Sequence, residues 1–250
     1  MTTIMGIEAY KDRNNPVVIL ASDLASTREE LKPIGDIVYR EKTKRDFTKI
    51  HVDEKDNFAL AGAGIVDEDY SRFVYGMKSG EIPVRKILRE GRFLQLRDLN
   101  ERRFGGYEWD NGRINGFVIA SNYKMGRKKD DDFPMLFTCF PLGRVERKFW
   151  TSIGSGSRYA LEYLNEMNLL SPFEVGREEA IELADESLKR ASKDMYTGGL
   201  DIVIVSREGI GEYGSIIKER LDKAREEVIN EIKNTGGSKM RAGPDGSIPY

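Results

Sequence analysis

The chain has very little cysteine and histidine, with one of each among 250 residues. Cys139 has no partner for an internal disulfide, and its aromatic neighbours Phe137 and Phe140 favour a small buried residue in a strand. His51 is the single histidine, which excludes a metal site built on two histidine ligands and makes a histidine-based triad depend on this residue. A lone histidine in a strand is more often structural than catalytic. We expect neither a metal nor another cofactor.

Net charge and long apolar runs are also lacking. The 40 lysine and arginine residues nearly balance 42 acidic ones, so the formal charge of -2 gives no basic footprint for nucleic acid. No run of 18 apolar residues and no basic-then-apolar opening occurs, so we expect neither a membrane span nor a secretory signal. These features, with 39% hydrophobic residues, predict a cytoplasmic protein with a sizeable core.

Short apolar runs bounded by turn residues predict strands, and apolar positions at helical spacing predict helices. The predicted strands are residues 2–7, 17–21, 48–52, 58–63, 116–123, 135–141, 149–153 and 200–205. The predicted helices are a segment starting at residue 67 and residues 158–167, 177–195 and 216–233. Glycines interrupt residues 89–113, which we expect to be only partly helical. Helices that pack on antiparallel strands indicate an α+β fold.

We expect one domain over residues 1–233. Glycine and proline become frequent after residue 233, so residues 234–250 are predicted to be a flexible tail. The chain shows no internal repeat.

Without a histidine-based mechanism, the chain can still provide an N-terminal nucleophile. Thr2 follows Met1, and its small side chain permits removal of that methionine. The free α-amine of a threonine can then act as the base for its own hydroxyl, since its pKa of about 7.7–8.0 lies near working pH. A small second residue is common, so Thr2 alone says little.

Several further segments stand in a specific order behind Thr2. They are Thr2-Thr3-Ile4-Met5-Gly6-Ile7, Val17 to Asp23, Thr48-Lys49-Ile50, Ala61-Gly62, Gly154-Ser155-Gly156-Ser157 before a predicted helix, and Asp194 to Gly199. Taken together over residues 2–230, they resemble the proteasome β subunits and the related HslV-type peptidases. Each segment by itself would be an ordinary strand or turn.

The resemblance implies a four-layer αββα sandwich, the fold of N-terminal-nucleophile hydrolases, and a threonine-type endopeptidase. It implies that Thr2 is the nucleophile, that Asp23 holds Lys49, and that the Gly62 N–H forms the oxyanion hole. The implied partners of the amine and its water are Ser155, Asp194 and Thr197, the last replacing the family's serine. The implied substrate-binding residues are Thr27, Leu60 and Gly62, with Leu60 suggesting a preference for medium apolar side chains.

Two departures from the family affect the expected surroundings of the site. Insertions at residues 12–16 and 27–45 predict a different rim of the substrate cleft. The glycine-broken residues 89–113 lie where the family has helices that contact neighbouring subunits. Whether the chain forms the stacked rings of the family is therefore an open question.

The resemblance implies a homo-oligomer, which would be a ring if it follows the arrangement of the family. An ATPase or α-type subunits are the candidate partners. The substrate would be a peptide or unfolded protein. Two alternatives remain open: an amidase or transpeptidase of narrower specificity, and a non-catalytic ring-forming subunit that retains Met1.

Overall fold

The computed structural model describes most of the first 212 residues. The described residues are 3–23, 25–34, 37–46, 49–53, 55, 57–64, 68–104, 116–122, 133–191 and 201–212. The chain divides into the units Met1–Glu212 and Tyr213–Tyr250, and every described residue lies in the first unit. The predicted helix at residues 216–233 and the predicted tail lie outside the described residues, so the predicted domain boundary stays a prediction.

Five antiparallel strands form the first sheet, in the order β10-β1-β2-β11-β12. They are β1 (Thr3–Ala9), β2 (Val17–Ser22), β10 (Trp150–Gly154), β11 (Asp201–Ser206) and β12 (Ile210–Glu212). Every residue of β1 and β2 is buried, because these central strands are covered on both faces. The continuous apolar runs that predicted them reflect this double burial.

A second sheet also has five antiparallel strands, in sequence order. They are β5 (Ile50–Asp53), β6 (Phe58–Ala63), β7 (Gly116–Ser121), β8 (Met135–Cys139) and β9 (Val145–Arg147). Side chains alternate between the faces of β6. Ala59, Ala61 and Ala63 pack with residues of the first sheet, and Phe58 and Leu60 pack with residues of helices.

Helices cover the outer face of each sheet. The helices that pack on the second sheet are α1 (Glu68–Ser79), α2 (Val84–Glu90) and α3 (Leu94–Phe104). The first sheet carries α4 (Ser157–Glu166) and α5 (Arg177–Ala191), which contact its strands β1, β2 and β10. A short 3₁₀ helix, Pro172–Glu174, precedes α5. The protein is therefore an α+β sandwich, as the sequence predicts.

The predicted helix after residue 67 is confirmed as α1. Its four apolar residues at helical spacing, Tyr70, Phe73, Val74 and Met77, are all buried in the core beneath the helix. In the glycine-broken segment, α2 ends at Gly91, whose φ of 67° suits a residue without Cβ. None of the described helices is both long enough and apolar enough to cross a bilayer.

One large element is absent from the sequence-based prediction. Strands β3 (Ala25–Ile34) and β4 (Ile37–Asp46) form a separate two-stranded antiparallel hairpin with ten paired positions. The sequence indicated only an insertion here, because the strands are rich in Lys, Arg and Glu and lack an apolar alternation. The hairpin leaves the sandwich just after Asp23 and returns just before Lys49.

Candidate active site

Asp23 connects three parts of the chain at the end of β2. Its Oδ1 accepts a hydrogen bond from the Thr3 backbone N–H at 2.5 Å, and its Oδ2 lies 2.9 Å from the Lys49 Nζ. The Asp23 N–H in turn donates to the Thr3 carbonyl at 3.0 Å. Both carboxylate oxygens are thus engaged, and one carboxylate holds the start of β1 and the residue before β5 together.

Burial determines the electrostatics of the Asp23–Lys49 pair. Asp23 is 1% exposed and Lys49 is 4% exposed. Burial disfavours a charge, so it raises the pKa of Asp23 and lowers the pKa of Lys49, and the opposite charge of the partner limits each shift. The ammonium is therefore held by its carboxylate in a place where water does not screen it.

The predicted Gly-Ser-Gly turn packs against the same end of β1. Gly154 pairs with Thr3 across β10 and β1 and has a φ of 103°. The Gly156 N–H donates to Thr3 Oγ1 at 3.0 Å, and a Cβ at Gly156 would collide with that oxygen. These glycines let the beginning of α4 approach the first described residue of the chain.

Ser155 lies between the two glycines of this turn. Its Oγ is buried and has no hydrogen-bond partner within the part of the chain that the structure describes. A buried hydroxyl normally has a hydrogen-bond partner, and the described residues supply none for Ser155. The hydroxyl therefore suits a role in holding a polar group next to Thr3.

Gly62 lies on β6, beside the start of β5. Ala61 pairs with Ile50, so continuation of this register by one residue brings Gly62 opposite Lys49. A Cβ at Gly62 would collide with the Tyr70 hydroxyl and come within 2.7 Å of Phe117 Cε1. Only glycine fits in this packing.

The two remaining described residues of the predicted substrate site differ in position. Leu60 has no exposed surface and packs in the core beneath α1. Thr27 lies in β3, near the base of the hairpin, where it pairs with Lys44. The predicted contacts of Leu60 and Thr27 with substrate stay predictions.

Three predicted catalytic residues, Thr2, Asp194 and Thr197, lie outside the described residues. The structure brings Asp23, Lys49 and the Ser155 turn together around Thr3, and the β5–β6 register brings Gly62 next to Lys49. The catalytic roles of all seven residues stay predictions. Since Thr2 is covalently joined to Thr3, it is one residue away from this group.

Sequence reasoning gave no part to Thr3, which is completely buried and makes three of the hydrogen bonds at the site. Its hydroxyl oxygen accepts a hydrogen bond from the Gly156 N–H, 153 positions along the chain. No local pattern in the sequence indicates a contact over that separation.

Comparison with known proteins finds a similarity in part of this sandwich. Residues 120–205 match the family model described as proteasome subunit. The chain is also 32% identical, over 89 residues, to "Proteasome subunit beta 1" of Nitrosopumilus maritimus (strain SCM1). That match covers 35% of this chain and 43% of the relative, so it spans less than half of the relative's length. The predicted resemblance to proteasome β subunits is confirmed.

The family-model match covers only part of the candidate site. Its residues 120–205 include Ser155 and the turn around it, but they exclude Asp23, Lys49 and Gly62. The place of those three residues in the candidate site rests on the contacts described above.

Proposed function

We propose that this chain is a threonine-type endopeptidase with the αββα sandwich of the N-terminal-nucleophile hydrolases. The observation that carries the proposal is the double engagement of Asp23, which holds both the backbone next to Thr2 and the buried ammonium of Lys49. The similarity to proteasome β subunits supports the same reaction class.

Chemistry begins when removal of Met1 leaves Thr2 with a free amine. The Thr2 Oγ attacks a peptide carbonyl while the amine takes its proton. The nearby Lys49 ammonium disfavours a second positive charge and so keeps the amine neutral. The Gly62 N–H stabilises the negative charge that develops on the carbonyl oxygen.

Collapse of the tetrahedral intermediate breaks the C–N bond. The leaving amine takes a proton from the Thr2 ammonium, and an ester to Thr2 Oγ remains. Water then attacks this ester, releases the acid product and restores the hydroxyl. Ser155, Asp194 and Thr197 orient the amine and that water.

The substrates in this proposal are peptides or unfolded proteins in the cytoplasm. The active form in this proposal is a homo-oligomer, arranged as a ring like the members of the family. An ATPase or α-type subunits are candidate partners. Native mass spectrometry of the purified protein measures the oligomeric state, and a monomeric mass would contradict this part of the proposal.

Intact mass and peptide cleavage test the proposed reaction together. Protein from its native host should lack Met1 and cleave members of a broad peptide library, and Thr2→Ala should abolish cleavage. Thr2→Ser is the matched control, since it keeps the hydroxyl and should retain measurable activity. Retained Met1, or unchanged cleavage by Thr2→Ala, would overturn the mechanism.

A further inference from the structure

The helix layer on the second sheet concentrates positive charge around α2. Residues 84–92 carry a net charge of +3, from four basic residues and one acidic residue, although the whole chain is at -2. Lys86 Nζ lies 4.0 Å from Glu90 Oε1. Arg89 and Arg92 are exposed and have no ion-pair partner among the described residues. These two guanidinium groups are therefore available to a partner.

The arginines of α2 are not arranged for the benefit of the helix itself. Arg85 and Arg89 are exposed and four residues apart, and like charges at this spacing repel each other. Arg89 is in the last turn, where the helix dipole favours a cation, but Arg85 is in the first turn, where the dipole disfavours one. An acidic partner explains this charge pattern better than the stability of α2 does.

Two exposed leucines lie near these arginines. Leu94 begins α3, two residues after Arg92, and Leu142 is in the turn between β8 and β9. The Phe93 N–H donates to the Gly143 carbonyl at 2.6 Å, so the backbone segments that carry the two leucines are in direct contact. Apolar side chains together with arginine are typical of protein interfaces. We define the basic face as Arg85, Arg89, Arg92, Leu94 and Leu142.

The helix layer on the first sheet has a complementary composition at the start of α5. Residues 170–182 carry a net charge of -3, from four acidic residues and one basic residue. Glu178 and Glu182 are exposed, four residues apart, and without an ion-pair partner in the part of the chain that the structure describes. Leu170 and Phe173, just before α5, are 80% and 46% exposed. We define the acidic face as Leu170, Phe173, Glu178 and Glu182.

Charge and apolar surface both match the basic face to the acidic face of a second copy. The net charges of the two segments are equal and opposite, and each face has a like-charged pair four residues apart and two exposed apolar side chains. Arg13 lies 5.5 Å from the centre of the Phe173 ring, and the acidic segment stays net negative with this charge included. Within one copy both sheets lie between the two faces, so the faces cannot meet.

We infer that the basic face of one copy binds the acidic face of the next copy. A contact between two different faces is head-to-tail, and it closes into a ring when the rotation from copy to copy permits. The inference rests on the homo-oligomer of the proposed function and names the surfaces that hold it together.

Charge reversal on each face tests the contact. One double variant combines Arg89→Glu with Arg92→Glu, and the other combines Glu178→Arg with Glu182→Arg. Both should fold, because Arg89→Glu gives Arg85, and Glu182→Arg gives Glu186, an opposite charge four residues away. Circular dichroism checks the fold.

Analytical ultracentrifugation then measures association. Each double variant should associate at least about tenfold more weakly than the wild type, because like charges meet at the contact. The control Arg72→Glu reverses an exposed arginine on α1, in the same helix layer as α2, and should keep the association of the wild type. Added salt should weaken the wild-type assembly.

An equal mixture of the two double variants gives a stricter test. Every contact between unlike copies in the mixture again joins opposite charges, so the mixture should assemble to the wild-type mass. The inference is overturned by a monomeric wild type, by wild-type association of either double variant, or by a mixture that stays dissociated.

Peptide cleavage by the wild type separates this inference from the proposed function. If the reversals and the mixture behave as expected but no peptide is cleaved, the peptidase function fails and the contact stands. If peptides are cleaved while the reversals leave the assembly unchanged, the contact alone is wrong.

Discussion

Lys49 Nζ lies 2.9 Å from Asp23 Oδ2, and the two side chains are only 5% and 2% exposed. A buried ion pair of this kind contributes little net stability, because desolvation of both charges offsets their attraction. Removal of one partner is different, since the other charge is then buried without compensation. The pair therefore adds little to the free energy of unfolding, and its charges are better explained by a role in the candidate active site.

A mutant cycle on this pair measures that cost. Lys49→Met should lower the free energy of unfolding by about 3–5 kcal/mol, because the buried Asp23 carboxyl group loses the partner that compensates its charge. Adding Asp23→Asn should recover most of the loss, since the amide can still accept from the Thr3 N–H. Urea unfolding followed by circular dichroism gives the values, and Lys49→Met, Asp23→Asn and the double variant should all lack peptidase activity.

The exposed pair Arg72 and Glu68, also in direct contact at 2.6 Å, is the control for the cycle. Arg72→Ala should change stability little because water screens both charges. A double variant at Asp23 and Lys49 that is no more stable than Lys49→Met would contradict our account of the buried pair.

The Thr3 hydroxyl should be important for both stability and activity. Thr3→Val keeps the shape of the side chain but leaves the buried Gly156 N–H without its acceptor, which costs about 1–3 kcal/mol. The start of β1, next to Thr2, should then be less well positioned, so we expect kcat to fall. Thermal unfolding and steady-state kinetics check both effects. Thr3→Ser keeps the oxygen and should behave like the wild type, and equal loss in both variants would argue against the hydrogen bond.

Gly62→Ala should be destabilising and inactive. The added Cβ would collide with the Tyr70 hydroxyl and press on Phe117, and overpacking of this kind costs about 1–3 kcal/mol. The resulting shift of β6 would also move the N–H proposed for the oxyanion hole. Gly211→Ala in β12, where a Cβ would meet no atom within 4 Å, is the control. Normal stability of Gly62→Ala would show that the strand tolerates a side chain.

Glu8 should make stability depend on pH. Its carboxylate in β1 is buried, accepts from the Leu136 N–H at 2.8 Å and lies 3.3 Å from the Arg147 guanidinium. Burial raises the pKa of Glu8 above its usual 4.5, although Arg147 opposes the shift. The native state therefore holds the proton more tightly than the unfolded state, and stability falls as pH rises from about 4.5 through the raised pKa.

Glu8→Gln removes this titration while keeping an acceptor for Leu136. Its free energy of unfolding relative to the wild type should increase from pH 4 to pH 7, as measured by urea unfolding at each pH. The control Glu162→Gln changes an exposed side chain on α4 and should show no such trend. A constant difference for Glu8→Gln would contradict the effect of burial.

Local sequence patterns predict much of the sandwich. Continuous apolar runs indicate β1, β2 and β6, and four apolar residues at helical spacing indicate α1, because double burial and the helical period leave direct traces in the sequence. The β3–β4 hairpin leaves no such trace, since its charged strands lack an apolar alternation. The three-residue β9 is too short to show a pattern.

The sequence by itself determined the α+β class and, through ordered motifs, the resemblance to proteasome β subunits. The resemblance implied that Asp23 holds Lys49, but the residue pattern by itself could not determine this pair or the contact of Asp23 with Thr3. The 82 charged residues offer many pairings, and the β3–β4 hairpin separates Asp23 from Lys49. Only the tertiary structure decided the contact of Asp23 with Thr3, the burial of Leu60, and the burial of the His51 Nε2, which has no hydrogen-bond partner among the described residues. Local periodicity specifies strands and helices, whereas contacts between distant residues follow from how the two sheets and the helices pack together.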